Sequence, residues 1–162
     1  MMQADMKWKK GDFKKLKGFA DKLIERFDDE IEKVMGLAGE KGIDIAHQHM
    51  NNQDLNWQPL HPRTVERKKK RSSDKILIDT STYAQSITQK YSKLKRQVFI
   101  GVLRSAQSSQ GQQLTNIARV HEFGSVARNI PKRPLWHPTK DELKKWVKKY
   151  NPTTKHLSLI HI

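Results

Sequence analysis

From Phe13 onward the apolar residues Leu16, Ala20, Leu23, Phe27, Ile31, Val34 and Ala38 recur at steps of three or four. Lys14, Lys15, Asp21, Lys22, Glu25, Asp28, Asp29 and Glu32 fill positions between them. That period is the α-helical one, with an apolar stripe on one side and a wet face on the other. Asp12 is placed to cap its start. Gly36, Gly39 and Gly42 should loosen or kink the helix, because glycine gives up the most backbone freedom on becoming helical, before Ile43, Ile45 and Ala46 resume as a second segment. A chain of 162 residues is the size of one domain, able to bury about two-thirds of its unfolded surface. So long a helix in so short a chain sets the first constraint on the fold: one core, with a helix protruding from it.

Downstream the elements are short. Residues 51–62 read as a loop, with Asn51-Asn52 and two prolines breaking any period and Trp57 as its anchor into the core. Pro62 suits the first turn of a short helix that runs into Arg67, Lys68, Lys69, Lys70 and Arg71, the densest positive run of the chain. Ile76-Leu77-Ile78 is wholly apolar, and Asp79, Thr80, Ser81 and Thr82 read as a cap leading into a turn of helix at 83–86. Two strands follow at 87–92 and 97–104, joined by Ser92-Lys93-Leu94-Lys95 as a hairpin, with Ile87, Gln89 and Tyr91 alternating on one and Val98, Ile100 and Val102 on the other.

Residues 105–113, rich in Ser, Gln and Gly, should be a mobile loop. A helix then presents Leu114, Ile117, Ala118 and His121, with Gly124 as a left-handed cap, and 126–130 return as a short strand. In the last helix Thr139 and Glu142 have capping-box spacing, and Leu143, Trp146, Val147 and Tyr150 form a stripe ended by Asn151-Pro152. The order predicts an α+β domain: a long N-terminal amphipathic helix, a small, mainly antiparallel sheet with a central hairpin, short helices and a C-terminal helix. Residues 1–50 form the helical region, 51–150 the α+β core and 151–162 a tail. The last six residues, Leu157-Ser158-Leu159-Ile160-His161-Ile162, are what one reading frame of the transposase adaptor CTGTCTCTTATACACATC encodes. They are expected to be an assembly artefact standing in place of the natural C-terminus.

The 32 Lys and Arg outnumber the 17 Asp and Glu, for a net charge of +15, far beyond what solubility needs. Because the acids cluster mainly on the N-terminal helix, the rest of the chain is expected to face a polyanion, nucleic acid before an acidic protein. The absence of Cys excludes disulfides, thiolate metal sites and cysteine nucleophiles. There is no run of about 18 apolar residues and no apolar signal core at the N-terminus, so action in the cytosol, away from membranes, is expected.

Seven histidines invite a metal reading, above all His47 and His49 with His61, but positions two apart on a helix diverge and no zinc-ligand spacing is present. Solvated histidines near a helix end are expected instead. His121-Glu122 has the residue types of an acid/base pair, yet neighbours on a helix point about 100° apart, and no serine elbow, phosphate loop or carboxylate pair accompanies them. Their expected role is structural: His121 packs, Glu122 pairs with a base such as Arg119, and Phe123 fills the core ahead of the Gly124 turn. No catalytic residue, cofactor or metal is expected. Arg67, Lys68, Lys69, Lys70 and Arg71, with Lys75, Lys90, Lys93, Lys95 and Arg96, form a candidate phosphate-binding or acidic-surface contact, the ordinary alternative being a solvated face. No aromatic interleaves with them, so contact with nucleic acid would be to the backbone and indifferent to sequence.

Several pieces taken together carry a resemblance: Trp57-Gln58-Pro59-Leu60, Pro62 with Thr64 and Lys68, Ile76-Leu77-Ile78-Asp79-Thr80, Ser86-Ile87, the strand at 98–101, His121-Glu122-Phe123-Gly124, and Ile130-Pro131 with Arg133-Pro134. In order and spacing the stretch 55–150 resembles the bacteriophage virion-morphogenesis family, the tail-completion proteins of Mu-like phages. The resemblance implies a small α+β structural subunit without a catalytic site, needed to finish tails or join them to heads. It further implies a homo-oligomeric ring around the DNA channel, portal, connector or tail-tube proteins as partners, and a place in the virion after assembly in the host bacterial cytoplasm. Ser81 stands where the family commonly has Gly, which weakens the case for a left-handed turn there. Leu135-Trp136 replaces the family's usual Phe-Leu and keeps its bulk. A sequence-unspecific DNA-binding module is the alternative from another class.

Overall fold

The computed structural model describes residues 10–69, 73–79 and 81–150. The protein is α+β: α1 (Lys10–Asn52), α2 (Pro62–Lys69), α3 (Thr82–Gln85), β1 (Ile87–Ser92), β2 (Gln97–Val102), α4 (Leu114–Phe123), a 3-10 turn at Val126–Arg128, and α5 (Trp136–Tyr150). The tail assigned to 151–162, with the six residues expected to be an artefact, lies outside the described residues, as do Lys70, Arg71 and Thr80.

At 43 residues and 1.5 Å per residue, α1 is about 65 Å long, roughly twice the width of a small domain. Only its C-terminal half has a core to face. Met35, Ala38, Ile45, Ala46 and Met50 are buried there against the hairpin and α5. β1 and β2 pair antiparallel with Ile87 opposite Val102, Gln89 opposite Ile100 and Tyr91 opposite Val98. Cross-strand partners share a face, so these six residues form the side on which α1 lies. A two-stranded hairpin is marginal by itself in water. Here α1 supplies its second layer, and Trp57, Tyr83, Leu114, Ala118 and Leu135 close the core at the end of the hairpin far from its turn.

The glycines of α1 do not break it. The helix is continuous, and Gly39 and Gly42 are where the neighbouring layers come closest. A Cβ on Gly39 would stand 1.5 Å from Oε1 of Gln89, and one on Gly42 would stand 2.6 Å from Cδ1 of Ile100 and 3.1 Å from Cδ2 of Leu143. Since α1 begins at Lys10, Asp12 lies within it rather than at its cap. The histidines near its other end are not solvated. His47 Nε2 donates to Ala84 O at 3.0 Å, and His49 is buried, donating from Nδ1 to Asp54 at 2.8 Å with Nε2 3.4 Å from Glu142.

Three other expectations are corrected. β2 ends at Val102, because the Leu103 carbonyl turns away to accept the Ala106 amide at 3.0 Å. The loop at 105–113 closes on itself, with Ser108 N donating to Gln112 O and Ser108 Oγ accepting from the amides of Gln110 and Gln112. The strand expected at 126–130 is the 3-10 turn, leaving a sheet of two strands.

The packing role of the glycines separates two substitutions. Gly36 meets nothing within 4 Å, so Gly36→Ala should raise Tm by about 2–4 °C by removing about 1 kcal/mol of helix penalty. Gly42→Leu should lower Tm by several degrees, since overpacking costs about 1–3 kcal/mol. Thermal unfolding followed by circular dichroism reads both. If both rise, the glycines are loosening elements after all.

Candidate functional site

α4 ends at Gly124, whose φ of 76° and ψ of 176° lie in a region open to glycine alone rather than in the left-handed helical well expected for a cap. A Cβ there would also meet Ile130 O and Lys132 N, each at 3.1 Å. The chain then loops tightly. Ser125 and Ile130 exchange backbone hydrogen bonds of 2.8 and 2.9 Å across the 3-10 turn, and Asn129 takes φ 51° to close it. Returning, Arg133 N donates to His121 O at 2.7 Å, which lays the 131–136 segment beside the end of α4.

That placement decides what Glu122 does. Its carboxylate accepts the amides of Leu135 and Trp136 at 2.8 and 3.0 Å through Oε2 and that of His137 at 3.2 Å through Oε1. The first amides of a helix have no intrahelical partner, and negative charge there is favoured by the helix dipole. Pro138 has no amide to satisfy, and Thr139 N already reaches Leu135 O at 3.2 Å, so one side chain completes the start of α5. This replaces two expectations. Glu122 does not serve as a partner for Arg119, and Thr139 is not the cap: it is buried in the first turn, donating from Oγ1 to Leu135 O at 2.7 Å.

The dispersed motifs of the sequence meet at this corner. Trp57, buried, donates from Nε1 to Pro134 O at 2.9 Å, and Arg133, also buried, donates from Nε to Gln58 O at 3.2 Å. Lys68 is 5% exposed and donates to Lys75 O, so it has left the basic surface for the interior. Burial lowers its pKa, with Asp79 and Asp74 acting in the opposite sense. His121 is pushed down to about 4, first by burial and then by the charges of Arg133 and Lys68, and its Nδ1 is buried without a hydrogen-bond partner. Arg133 is lowered by burial as well. Ser81 makes the left-handed turn after Asp79-Thr80 at φ 60°, taking the steric cost that glycine would avoid. Trp57, Asp79, His121, Glu122, Pro131, Arg133 and Pro134 thus stand on the segments that build this corner.

Phe123 departs from them: it is 66% exposed and does not fill the core. Of the basic run, Arg67 is exposed, Lys68 is turned in, and Lys70 and Arg71 lie outside the described residues, with Lys69 described only in its backbone. Among the hairpin cations, Lys90, Lys93 and Lys95 are exposed and Arg96 is paired with Asp28 at 2.7 Å. Among the described residues no group of three or more His, Cys, Asp or Glu is placed to hold a metal, and no helix is long and apolar enough to cross a membrane.

Two surfaces escaped the sequence reading. On the N-terminal half of α1, Leu16, Phe19, Leu23, Ile24 and Phe27 are exposed, the two Phe at 65% and 61%. β2, α4 and the start of α5 enclose an open groove of about 1050 Å³, lined by Phe99, Val102, Leu103, Ala118, Phe123 and Trp136 and edged by Lys90, Arg104 and Arg119. The first had a visible signal, since the stripe of α1 runs on for about five turns beyond any partner the chain offers. The groove had none, because its lining comes from three separate elements. No family model matches this chain, and neither a curated protein nor a solved structure matches it.

Gly124→Val should cost about 2–4 kcal/mol or prevent folding, from the backbone strain and the two backbone contacts together. Wild-type Tm in that variant would contradict the turn described. His121 gives a pH test. Its pKa falls from 6.5 unfolded to about 4 folded, so between those values the unfolded chain binds a proton that the folded one refuses. Its contribution is intact above pH 6.5 and is lost as pH falls toward 4, on the order of 3 kcal/mol in all. Stability of His121→Gln should therefore fall less steeply in that window than the wild type's, and an unchanged slope would contradict it.

Proposed function

We propose that this chain is a structural subunit of phage virion assembly, acting in tail completion or head–tail joining through protein–protein contacts around the DNA channel, without turnover. The observation that carries the reading is the unpartnered apolar face of α1, five large apolar side chains exposed along one projecting helix. Soluble monomers rarely leave such a continuous patch in water, and patches of this kind mark interaction sites. The resemblance to tail-completion proteins gives the setting, and the use of His121-Glu122 accords with it. Its imidazole is buried beside two cations and its carboxylate is engaged by three backbone amides, so the pair most suggestive of chemistry in the sequence serves the path of the chain.

DNA-backbone binding is kept as a second reading for one reason. The acids are concentrated on α1 while Arg67, Lys90, Lys93, Lys95, Arg104 and Arg119 are exposed on the remaining surface. In a ring, one moderately basic patch repeated around a channel sums to a strong field toward a passing duplex. In a free-standing binder the same patch would hold DNA by itself, with strong salt dependence.

Deleting the gene from the phage or prophage that carries it and imaging the particles by negative-stain microscopy tests the proposal. Separate filled heads and incomplete or unjoined tails are expected, with joining restored by the gene supplied in trans. Normal infectious particles would overturn the assembly reading, and salt-sensitive DNA binding by the purified monomer would then favour the second.

A further inference from the structure

Along α1 the outward apolar residues follow a seven-residue repeat. Leu16, Leu23 and Leu37 stand seven or fourteen residues apart, with Glu30 at the step between the last two, and Ala20, Phe27 and Val34 form a second row seven apart. Two rows spaced in this way are the seam of a coiled coil, in which each helix sets its seam side chains into holes on the other. We propose that this seam docks an amphipathic helix of a partner protein whose positions beside the seam are acidic. The inference rests on the assembly reading for its setting and names the chemistry of the partner for the same face of α1.

The seam is distinct from the face that α1 gives to the core. Where the helix meets the body, Met35, Ala38 and Ile45 are buried, and Gly39 and Gly42 face the hairpin and α5. Leu37, between them in sequence, stays 44% exposed, and Val34 is half-buried. The outward rows therefore run on beside the body from Leu16 to Leu37, about 30 Å of helix. A seven-residue repeat drifts around a straight helix of about 3.6 residues per turn, so a partner stays in contact only by winding with it. A second helix does so, whereas a flat lipid surface imposes no such repeat.

Charge then selects an acid-edged partner over a second copy. In this repeat the positions beside the seam are Lys17, Ile24 and Ile31 on one edge and Phe19, Arg26 and Lys33 on the other. Every charged member is a cation, and Lys33 already pairs with Glu30 at 2.8 Å. Lys15 and Lys22 lie next outward on the edge of Phe19 and Arg26. Residues 14–27 thus hold five cations against two carboxylates, and those two, Asp21 and Glu25, fall on the far side of the helix. Lys15, Lys17, Lys22 and Arg26 are all exposed. Edge charges set partner choice in coiled coils. Two copies of α1 would offer each other only cations there, with no carboxylate to pair them, which disfavours self-pairing. Glu or Asp on the edges of another helix would meet these cations while the seam supplies apolar contact. Glu30, inside the seam, calls for a polar or basic residue in the facing layer, and one such layer fixes the partner's register.

The test uses the purified full-length chain and two labelled synthetic helices of about four heptads, both with Leu at the seam, one with Glu and the other with Lys at the edges. Fluorescence anisotropy reads binding at low and high ionic strength. The Glu helix should bind at least tenfold more tightly than the Lys helix, and the margin should shrink at high salt. Leu23→Glu/Phe27→Glu should weaken its binding at least tenfold, and Lys17→Glu/Arg26→Glu should reverse the preference toward the Lys helix. All four side chains are exposed, so Tm should stay that of the wild type in both variants. Equal affinity for the two peptides, or a preference unmoved by the charge reversal, would overturn the proposal. So would self-association of the chain that Leu23→Glu/Phe27→Glu abolishes, or binding to phosphatidylglycerol vesicles in place of the Glu helix. If neither peptide binds and deletion of the gene still leaves heads and tails unjoined, the docking proposal falls and the assembly reading stands.

Discussion

The arrangement of the C-terminal half depends on one carboxylate. Glu122, at the end of α4, takes the amides that begin α5, and by doing so sets where the last helix starts and in which direction it runs. α5 then lies along α1, with Leu143 at Gly42 and Glu142 near His49. Hydrogen bonds to a charged group contribute about 1.5–3 kcal/mol each at most in favourable settings, and three on one side chain tie helix start to helix end more firmly than the short connecting loop alone. The loop must follow a single route for this to happen, which is why a glycine-only conformation at Gly124 and the paired backbone bonds of Ser125 and Ile130 belong to the same device.

Much of the local structure was legible in the sequence. The 3.6 period of α1, the alternation of β1 and β2, and the stripe of α5 reflect rules that act over a few residues, and the hairpin pairs as its alternation implied. What was not legible required contacts distant along the chain. Gly39 and Gly42 read as helix breakers because a sequence shows the entropic cost of glycine and not the neighbour that needs its missing side chain. Lys68 read as part of a positive surface because a run of like charges does not reveal which member faces inward. Glu122 read as a local ion-pair partner, though its ligands are amides 13 to 15 residues on. Thr139 and Glu142 have capping-box spacing, but the helix starts before them.

The same contrast applies to surfaces. The core is small for the chain: α1 contributes only half its length to it, and the other half holds its apolar stripe in water. Keeping five large apolar residues exposed lowers solubility for a lone molecule and is useful to one that assembles. The protein is thus a corner held by Glu122 and Gly124, with an apolar-striped helix projecting from it.

Amide hydrogen exchange tests the central element of this account most directly. In the wild type the amides of Leu135, Trp136 and His137 should exchange slowly, as members of a hydrogen-bonded network. In Glu122→Ala the same three should become fast while those of β1 and β2 remain protected. Exchange at these positions as fast as in an unstructured peptide already in the wild type, or protection unchanged in the variant, would contradict the claim that Glu122 anchors the last helix.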